Sequence, residues 1–572
     1  MEIEKSKKRI AILGGGPSAL FMYKRLVDAA DENIAITIFE KKEQLGAGMP
    51  YSTEGAGDEH ITNVSDNEIP EIVTSIEEWV QTLPEHTLSR FCINPHRFNE
   101  YQVLPRLLFG QYLAAQFDLL IKKAQKLGIN TDIKLGTTVV DIIDDPKYGE
   151  VTVVLDTDEQ QRFDQLVVCT GHNWPKSYEG EIEGYYDSPY PPSKIAVKID
   201  HEVAIKGSSL TAIDAIRTLA RKNGLFKKDN VGKISFDLAE DSKGFKLIMH
   251  SRNGLLPALR FHLEDSHLSN KSLLTKEDLL AHRESNNGFI AVDYIFDKDF
   301  KAIFIEKDLE FYQKIKDMNI EAFVEMIMDL RERVAPFQLL KAEYVEAEKS
   351  IKRKESIYWK EMLAVLSFAM NYPAKYLSAE DMLRLQKTLM PLISIVIAFV
   401  PQSSCKELLA LYDAGLLDIV SVGSDSEVRP EEKGGVTYIY TNEDGIKVDQ
   451  YFKTFIDCVG QPHLNYQDFP FKSLRTDKVI SPAKLKFKDA QEGVKELEKG
   501  HDVEFDAEGN YYLNVSGIAI NDNFNVVDSY GAYNERIFIM AVPYIGGYNP
   551  DYSGLDFCEA ASDRIIKQMA KK

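Results

Sequence analysis

Residues 9–20 read RIAILGGGPSAL, and the apolar run 34–40, IAITIFE, closes on Glu40 a short helix later. An apolar strand, a glycine turn, a helix, a second strand and an acid in that order make a dinucleotide-binding unit. Each part has its own reason. Gly14 allows the tight turn out of the strand. Gly16 has no side chain, so the backbone can touch a pyrophosphate, and Ala19 lets helix and strand pack closely. The helix starting near Pro17 aims unpaired N–H groups and its positive dipole end at that pyrophosphate. Glu40 is then placed to accept hydrogen bonds from the ribose of the adenosine half. A glycine triplet alone would be an ordinary turn; the agreement of strand, helix and acid around it carries the reading.

The rest of the composition narrows the class. A chain of 572 residues can build two or more cores. A formal net charge of −21 argues against a nucleic-acid partner and against docking on anionic lipid. The five cysteines are scattered, with no CxxC and no His/Cys metal spacing, which fits free thiols in a reducing compartment and no metal centre. The N-terminal stretch MEIEKSKKRI has no apolar signal core. The most apolar segment, 389–400 (LMPLISIVIAFV), is too short to span a bilayer, contains Pro391, and reads as a buried helix. These features predict a cytoplasmic protein.

Along the chain, a glycine-rich loop follows Glu40 (KKEQLGAGMPYS), and 105–124 has apolar residues at helical spacing. Residues 137–143 and 151–155 read as a small hairpin, and 166–171 (LVVCTG) as a buried strand ending in a Thr-Gly turn. A second strand–turn–helix follows: 202–206 (EVAIK), Gly207 to Ser209, then 210–220, with the strand 246–250 (KLIMH) running into SRNGLLP. The βαβ pattern therefore occurs twice, which predicts two parallel-sheet nucleotide domains. Residues from about 270 to 404 alternate charged and apolar residues at helical spacing and read as a helical insertion or lid. Strand character resumes at 436–440 (VTYIY), then 455–460 and 536–541, before a Gly-Gly turn at Gly546 and Gly547 and a last helix over about 555–569.

The stretches GGGPSAL, FEKKEQLGAGMPYS, HITN, LPRLLFGQYL, LVVCTGH, IKGSSLTAIDAIRTL, HSRNGLLP and FIDCVGQP resemble the bacterial FAD-NAD(P)-binding family of flavoproteins, related to the flavin N-hydroxylating monooxygenases. The resemblance implies an α/β fold with two Rossmann-like dinucleotide-binding domains, three-layered, the FAD domain discontinuous, and a helical insertion. The expected division is 1–198 with 462–572 for FAD, and 199–461 for NAD(P), with the insertion at about 265–404. It implies FAD on Gly14, Gly16, Pro17 and Ser18, with Glu40 at the ribose and Lys41 and Val140 nearby. It further implies Arg106 beside the cofactor, Thr170 and Gly171 at the crossover, and Gly546, Gly547 and the last helix completing the pocket. His60 and Asn63 lie in a loop the family places close to FAD. Read without the family, a lone His in a polar loop is more often a surface residue, so both readings stand. Tyr51 has the same status, cofactor loop or simple turn.

The second nucleotide site departs from the pattern. Gly207, Ser208 and Ser209 keep the first glycine, but Ser209 stands where a second glycine is usual, pushing a pyrophosphate outward or forcing another backbone path. Ser251 and Arg252 follow the next strand directly, and an Arg there can clamp a 2′-phosphate, which favours NADPH over NADH; otherwise Arg252 is a solvated surface charge. A redox cysteine pair is missing between Glu40 and Asn63, which excludes disulfide reductases of the glutathione-reductase type. The stretch GEIEGYYDSPYPPSK lacks the histidine of the Baeyer–Villiger signature. What remains is an FAD- and NAD(P)H-dependent oxidoreductase, monooxygenase-like on a small molecule. Two alternatives stay open: a reductase serving a quinone or protein acceptor, and a non-enzymatic flavin-binding sensor or assembly protein. No residue pattern names the substrate, the catalytic residues or the oligomeric state.

Overall fold

The computed structural model describes residues 7–171, 174–264, 274–461, 463–551 and 554–571. The strand Lys8–Leu13 lies in the middle of a six-stranded sheet. Ile34–Phe39 and then Asn130–Lys134 pair on one side of it; Gln165–Val168, Tyr533–Ile539 and Asn525–Val527 lie on the other. All are parallel except the edge strand Asn525–Val527. A parallel strand covered on both faces has no polar side to alternate with, hence the unbroken apolar run from Ile10 to Leu13, all buried. The helix Pro17–Asp28 packs against Arg106–Lys126 and against the C-terminal helix Gly554–Met569. The chain thus leaves this sheet after residue 168 and returns to it at Asn525.

Between these passages it builds a second parallel sheet, in the order Tyr185–Tyr186, Thr454–Asp457, Glu202–Lys206, Lys246–Ser251, Leu417–Ser421. Leu417–Ser421 was not legible as a strand. It carries Asp418, lies at the sheet edge, and follows the helix Gln402–Asp413 after a short turn, so no period of its own stands out. Val436–Thr441 instead belongs to a separate three-stranded antiparallel sheet with Glu427–Pro430 and Lys447–Phe452. The expected hairpin before residue 165 gains a third strand: Val139–Asp145, Glu150–Leu155 and Gln160–Phe163.

The middle of the chain is helical from Lys276–Ser285 onward and has its own apolar cluster, centred on Phe296, Phe300, Phe304 and Phe323. The run 389–400 is only partly the buried helix its composition predicts. Met390–Val396 is helical, but Phe399 has φ +52°. The Val400 N–H donates to the Ala258 carbonyl at 3.1 Å, and the Ala258 N–H to that of Ile395 at 2.9 Å. Pairing with the segment that follows the strand Lys246–Ser251 ends the helix. Among the described residues, no helix is long and apolar enough to cross a membrane.

Candidate functional site

The two strand–turn–helix units are geometric copies. Gly14 has φ +100° and Gly207 φ +106°, conformations that favour glycine. A Cβ on Gly14 would lie 2.6 Å from the Cys169 carbonyl oxygen, and one on Gly207 2.8 Å from that of Cys458. The Gly14 N–H donates to Phe39 and the Gly207 N–H to His250, at 2.8 and 2.7 Å. Each helix then starts from an extended residue whose side chain makes no cap: Gly16 at φ −80°, ψ −164°, and Ser209 at φ −90°, ψ −162°. Ser209 therefore does not force a different backbone path. Its cost to a ligand is confined to the side chain, which is exposed.

The first turn opens into a cleft of about 530 Å³. Gly14, Gly16, Pro17, Ser18, Glu40, Lys41, Tyr51, Asn63, Thr170 and Gly171 all line it. A Cβ on Gly16 would sit 3.3 Å from Gly48 Cα, so the bare backbones of two glycines face each other across the mouth. The Glu40 carboxylate is buried and accepts from the Gly15 and Lys42 N–H groups at 2.6 and 2.9 Å. Thr170 Oγ1 is buried with no hydrogen-bond partner, which is costly unless a ligand supplies one. An uncapped helix start, an oriented acid and an orphaned hydroxyl in one cleft fit a dinucleotide with a diphosphate in its middle.

Five expected cofactor residues lie elsewhere. His60 is neither at the cleft nor on the surface: it is 1% exposed, pressed against the helix Leu210–Asn223. Its Nδ1 accepts from the Gly57 N–H at 2.9 Å, so Nε2 carries the proton, 3.2 Å from the Asp214 carbonyl. Burial pushes its pKa down. Arg106 also turns from the cleft; its Nη1 pairs with Asp214 Oδ2 at 2.5 Å, where the Tyr190 hydroxyl donates at 2.7 Å. A buried guanidinium needs a buried carboxylate, and that partner lies on the helix of the second unit. Val140 is 46% exposed on the outer hairpin and does not line the cleft. Gly546 and Gly547 are glycines for packing: an added Cβ would lie 1.8 Å from His463 Nδ1 or 2.4 Å from Val515 Cγ2. The cleft wall near them comes instead from Met540, Val542, Pro543 and the start of the last helix.

Sequence reasoning missed several lining residues. Ala364, Ile397 and Phe399 of the helical segment reach the cleft, as do Glu68, Asp551 and Cys558. The Asn63 amide donates to the Ala398 carbonyl at 3.4 Å, and Arg260 pairs with Glu68 and donates to Ser65 Oγ at 2.7 Å. The helical segment is thus tied to the edge of the cleft. Only the break at Phe399 could have hinted at it, and it has no sequence signature. In the second unit, Ser208 Oγ donates to the Leu255 carbonyl at 2.7 Å, fixing the turn. Ser251 Oγ is buried without a partner, and Arg252 is exposed, with no carboxylate among the described residues paired to it.

The sequence model of the FAD-NAD(P)-binding family matches residues 11–173. The segment contains both the glycine turn and the Thr170–Gly171 wall of the cleft. The model described as YdhS-like middle domain matches 275–397, the helical segment. A curated relative, the Escherichia coli (strain K12) protein called "Uncharacterized protein YdhS", is 28% identical over 477 residues, covering 82% of this chain and 86% of its own. Among solved structures, the ornithine N-hydroxylase of Kutzneria sp. 744 has a TM-score of 0.47 at 12% identity over 99% of both chains. The bacillithiol disulfide reductase of Staphylococcus aureus has 0.42 at 10% identity, also over 99% of both.

Proposed function

We propose that the chain is an FAD-dependent oxidoreductase in which NAD(P)H reduces the flavin, acting as a monooxygenase on a small molecule. The cleft at the first glycine turn, inside an FAD-NAD(P)-binding domain, carries this reading. Residues 1–198 and 462–572 would form the FAD domain and 199–461 the nicotinamide-nucleotide domain; the return of Tyr533–Ile539 to the first sheet supports that division. The uncapped N–H groups after Gly16 would hold the diphosphate, Glu40 the ribose, and the Thr170 hydroxyl would gain its missing partner. Ile397, Phe399 and Ala364 would exclude water from the far end of the cleft. FAD held there would supply hydride-acceptor and electron-carrier chemistry. Gly207, Ser208 and Ser209 would receive the second nucleotide, with Ser251 and Arg252 at its ribose phosphate.

An absorbance spectrum of the purified protein, followed by anaerobic addition of NADPH and NADH, tests the reading. The expected result is a flavin spectrum that bleaches faster with NADPH; a flavin that never bleaches has no hydride route. In air, NADPH use should couple to an oxygenated amine or amino acid. Stoichiometric hydrogen peroxide without product across a broad panel would overturn the monooxygenase part. Arg252→Ala should cost NADPH about 1–3 kcal/mol relative to NADH, the scale of a charge-assisted contact. An unchanged NADPH preference in steady-state kinetics would mark Arg252 as a surface charge only.

A further inference from the structure

A second cavity, of about 380 Å³, lies between the helical segment and the last helix, outside the flavin cleft. Its walls combine aromatic rings, among them Phe368, Tyr372 and Phe557, with four cations: Lys567, which Asp563 pairs, and a group of three, Lys276, Lys375 and Arg564. Lys375 is close enough to the other two for both to depress its pKa; burial is the larger cause, and it is pushed down to about 8. The one carboxylate that answers this cluster is already engaged. Asp522 accepts from the Tyr372 and Tyr376 hydroxyls, each at 2.7 Å, and pairs with Lys375 Nζ at 3.1 Å. Asp563 pairs with Lys567 at 2.6 Å. Burial pushes Asp299, also in the wall, up to about 7, so it carries only part of its negative charge near neutrality. Arg564 lies 4.6 Å from the Tyr372 ring centroid, and no carboxylate among the described residues pairs with it or with Lys276. Asn371, also in the wall, has a buried Nδ2 with no acceptor.

Like charges gathered around one saturated acid destabilise each other unless an anion joins them. In a chain of net charge −21, a cationic pocket lined by aromatics is a selective feature. We propose that this cavity binds a small organic carboxylate with an aromatic or apolar body, its carboxylate on Arg564 and the Asn371 amide and its body against the rings. The site is coupled to the cleft. The Asp551 N–H donates to Asn371 Oδ1 at 2.9 Å, and Asp551 lines the cleft. The last helix presents Phe557, Ala560 and Arg564 to the cavity, and Leu555, Asp556 and Cys558 to the cleft.

Calorimetric titration of the full-length, FAD-saturated protein with benzoate tests the proposal, with benzylamine as the cationic counterpart. Benzoate should bind and benzylamine should not. Arg564→Met should weaken benzoate about tenfold or more, and Arg564→Lys less. Ala560→Trp, which fills the cavity without touching its charges, should abolish binding at an unchanged melting temperature, so the result does not hang on the Arg564 variant folding. Absence of benzoate binding to the wild type, equal binding of benzylamine, or benzoate binding that survives Ala560→Trp would each overturn it. The flavin content of the same samples reports separately on the cleft.

Discussion

Gly16→Val should yield a folded protein that purifies without flavin. The added Cβ would lie 3.3 Å from Gly48 Cα, and the two methyl groups beyond it have only the cleft to enter. Gly16 has φ −80°, a conformation valine tolerates, so the backbone need not unfold to accept the change. The damage falls on the ligand. A diphosphate displaced from the helix start loses one or two charge-assisted N–H contacts, about 3–4 kcal/mol, or roughly 100- to 1,000-fold in FAD affinity. Fluorimetric titration of the apoprotein with FAD measures this. Full flavin occupancy in the variant would refute the assignment of the diphosphate to Gly16. Gly14→Ala makes a useful contrast, because it attacks the backbone, at φ +100° against a carbonyl 2.6 Å away, and should lower stability as well as flavin content.

Asp214→Ala should produce the largest loss of stability. Asp214 is buried, and Arg106 would be left as an uncompensated guanidinium between the first unit and the helix of the second. Breaking such a pair from one side costs about 3–5 kcal/mol. Urea unfolding should show the first transition at clearly lower denaturant, with Asp214→Asn milder because it keeps an acceptor for Tyr190. An unmoved transition would mean that the pair contributes nothing to holding the two units together. The joint is also acid-sensitive. Burial alone would raise the Asp214 pKa, but Arg106, His60, the Tyr190 hydroxyl and Arg217 together outweigh it and hold the carboxyl below its usual value. A depressed acid contributes stability in full above its unfolded pKa, about 4, and loses it as pH falls through the folded value. His60 acts in the same direction: its folded pKa is lowered, so below about pH 6.5 protons favour the unfolded chain. Stability of the wild type should fall on acidification from neutrality, and Asp214→Ala should lack the carboxylate's part of that fall.

Which residues were legible follows from how far their reasons reach. Gly14, Gly16, Glu40 and Thr170 could be brought together at one cleft from sequence because each is placed by a strand and the turn beside it. Arg106, His60, Gly546 and Gly547 were misplaced because the residues that fix them lie far away in sequence. The partner of Arg106 is 108 positions on, and Gly546 is set by a ring at His463. Val140 was carried over by resemblance, and no local pattern placed it.

The sequence by itself determined the two strand–turn–helix units and the nucleotide chemistry of the first, because strand periodicity, turn glycines and helix starts are local properties of the backbone. Only the tertiary structure decided that the helical segment supplies a wall of the cleft through Phe399, that Asp214 locks the two units, and that four cations gather in one cavity beside the last helix. Those arrangements depend on which buried charges and apolar faces find each other after the chain collapses. Residues hundreds of positions apart carry no mark of that meeting in the order of their amino acids.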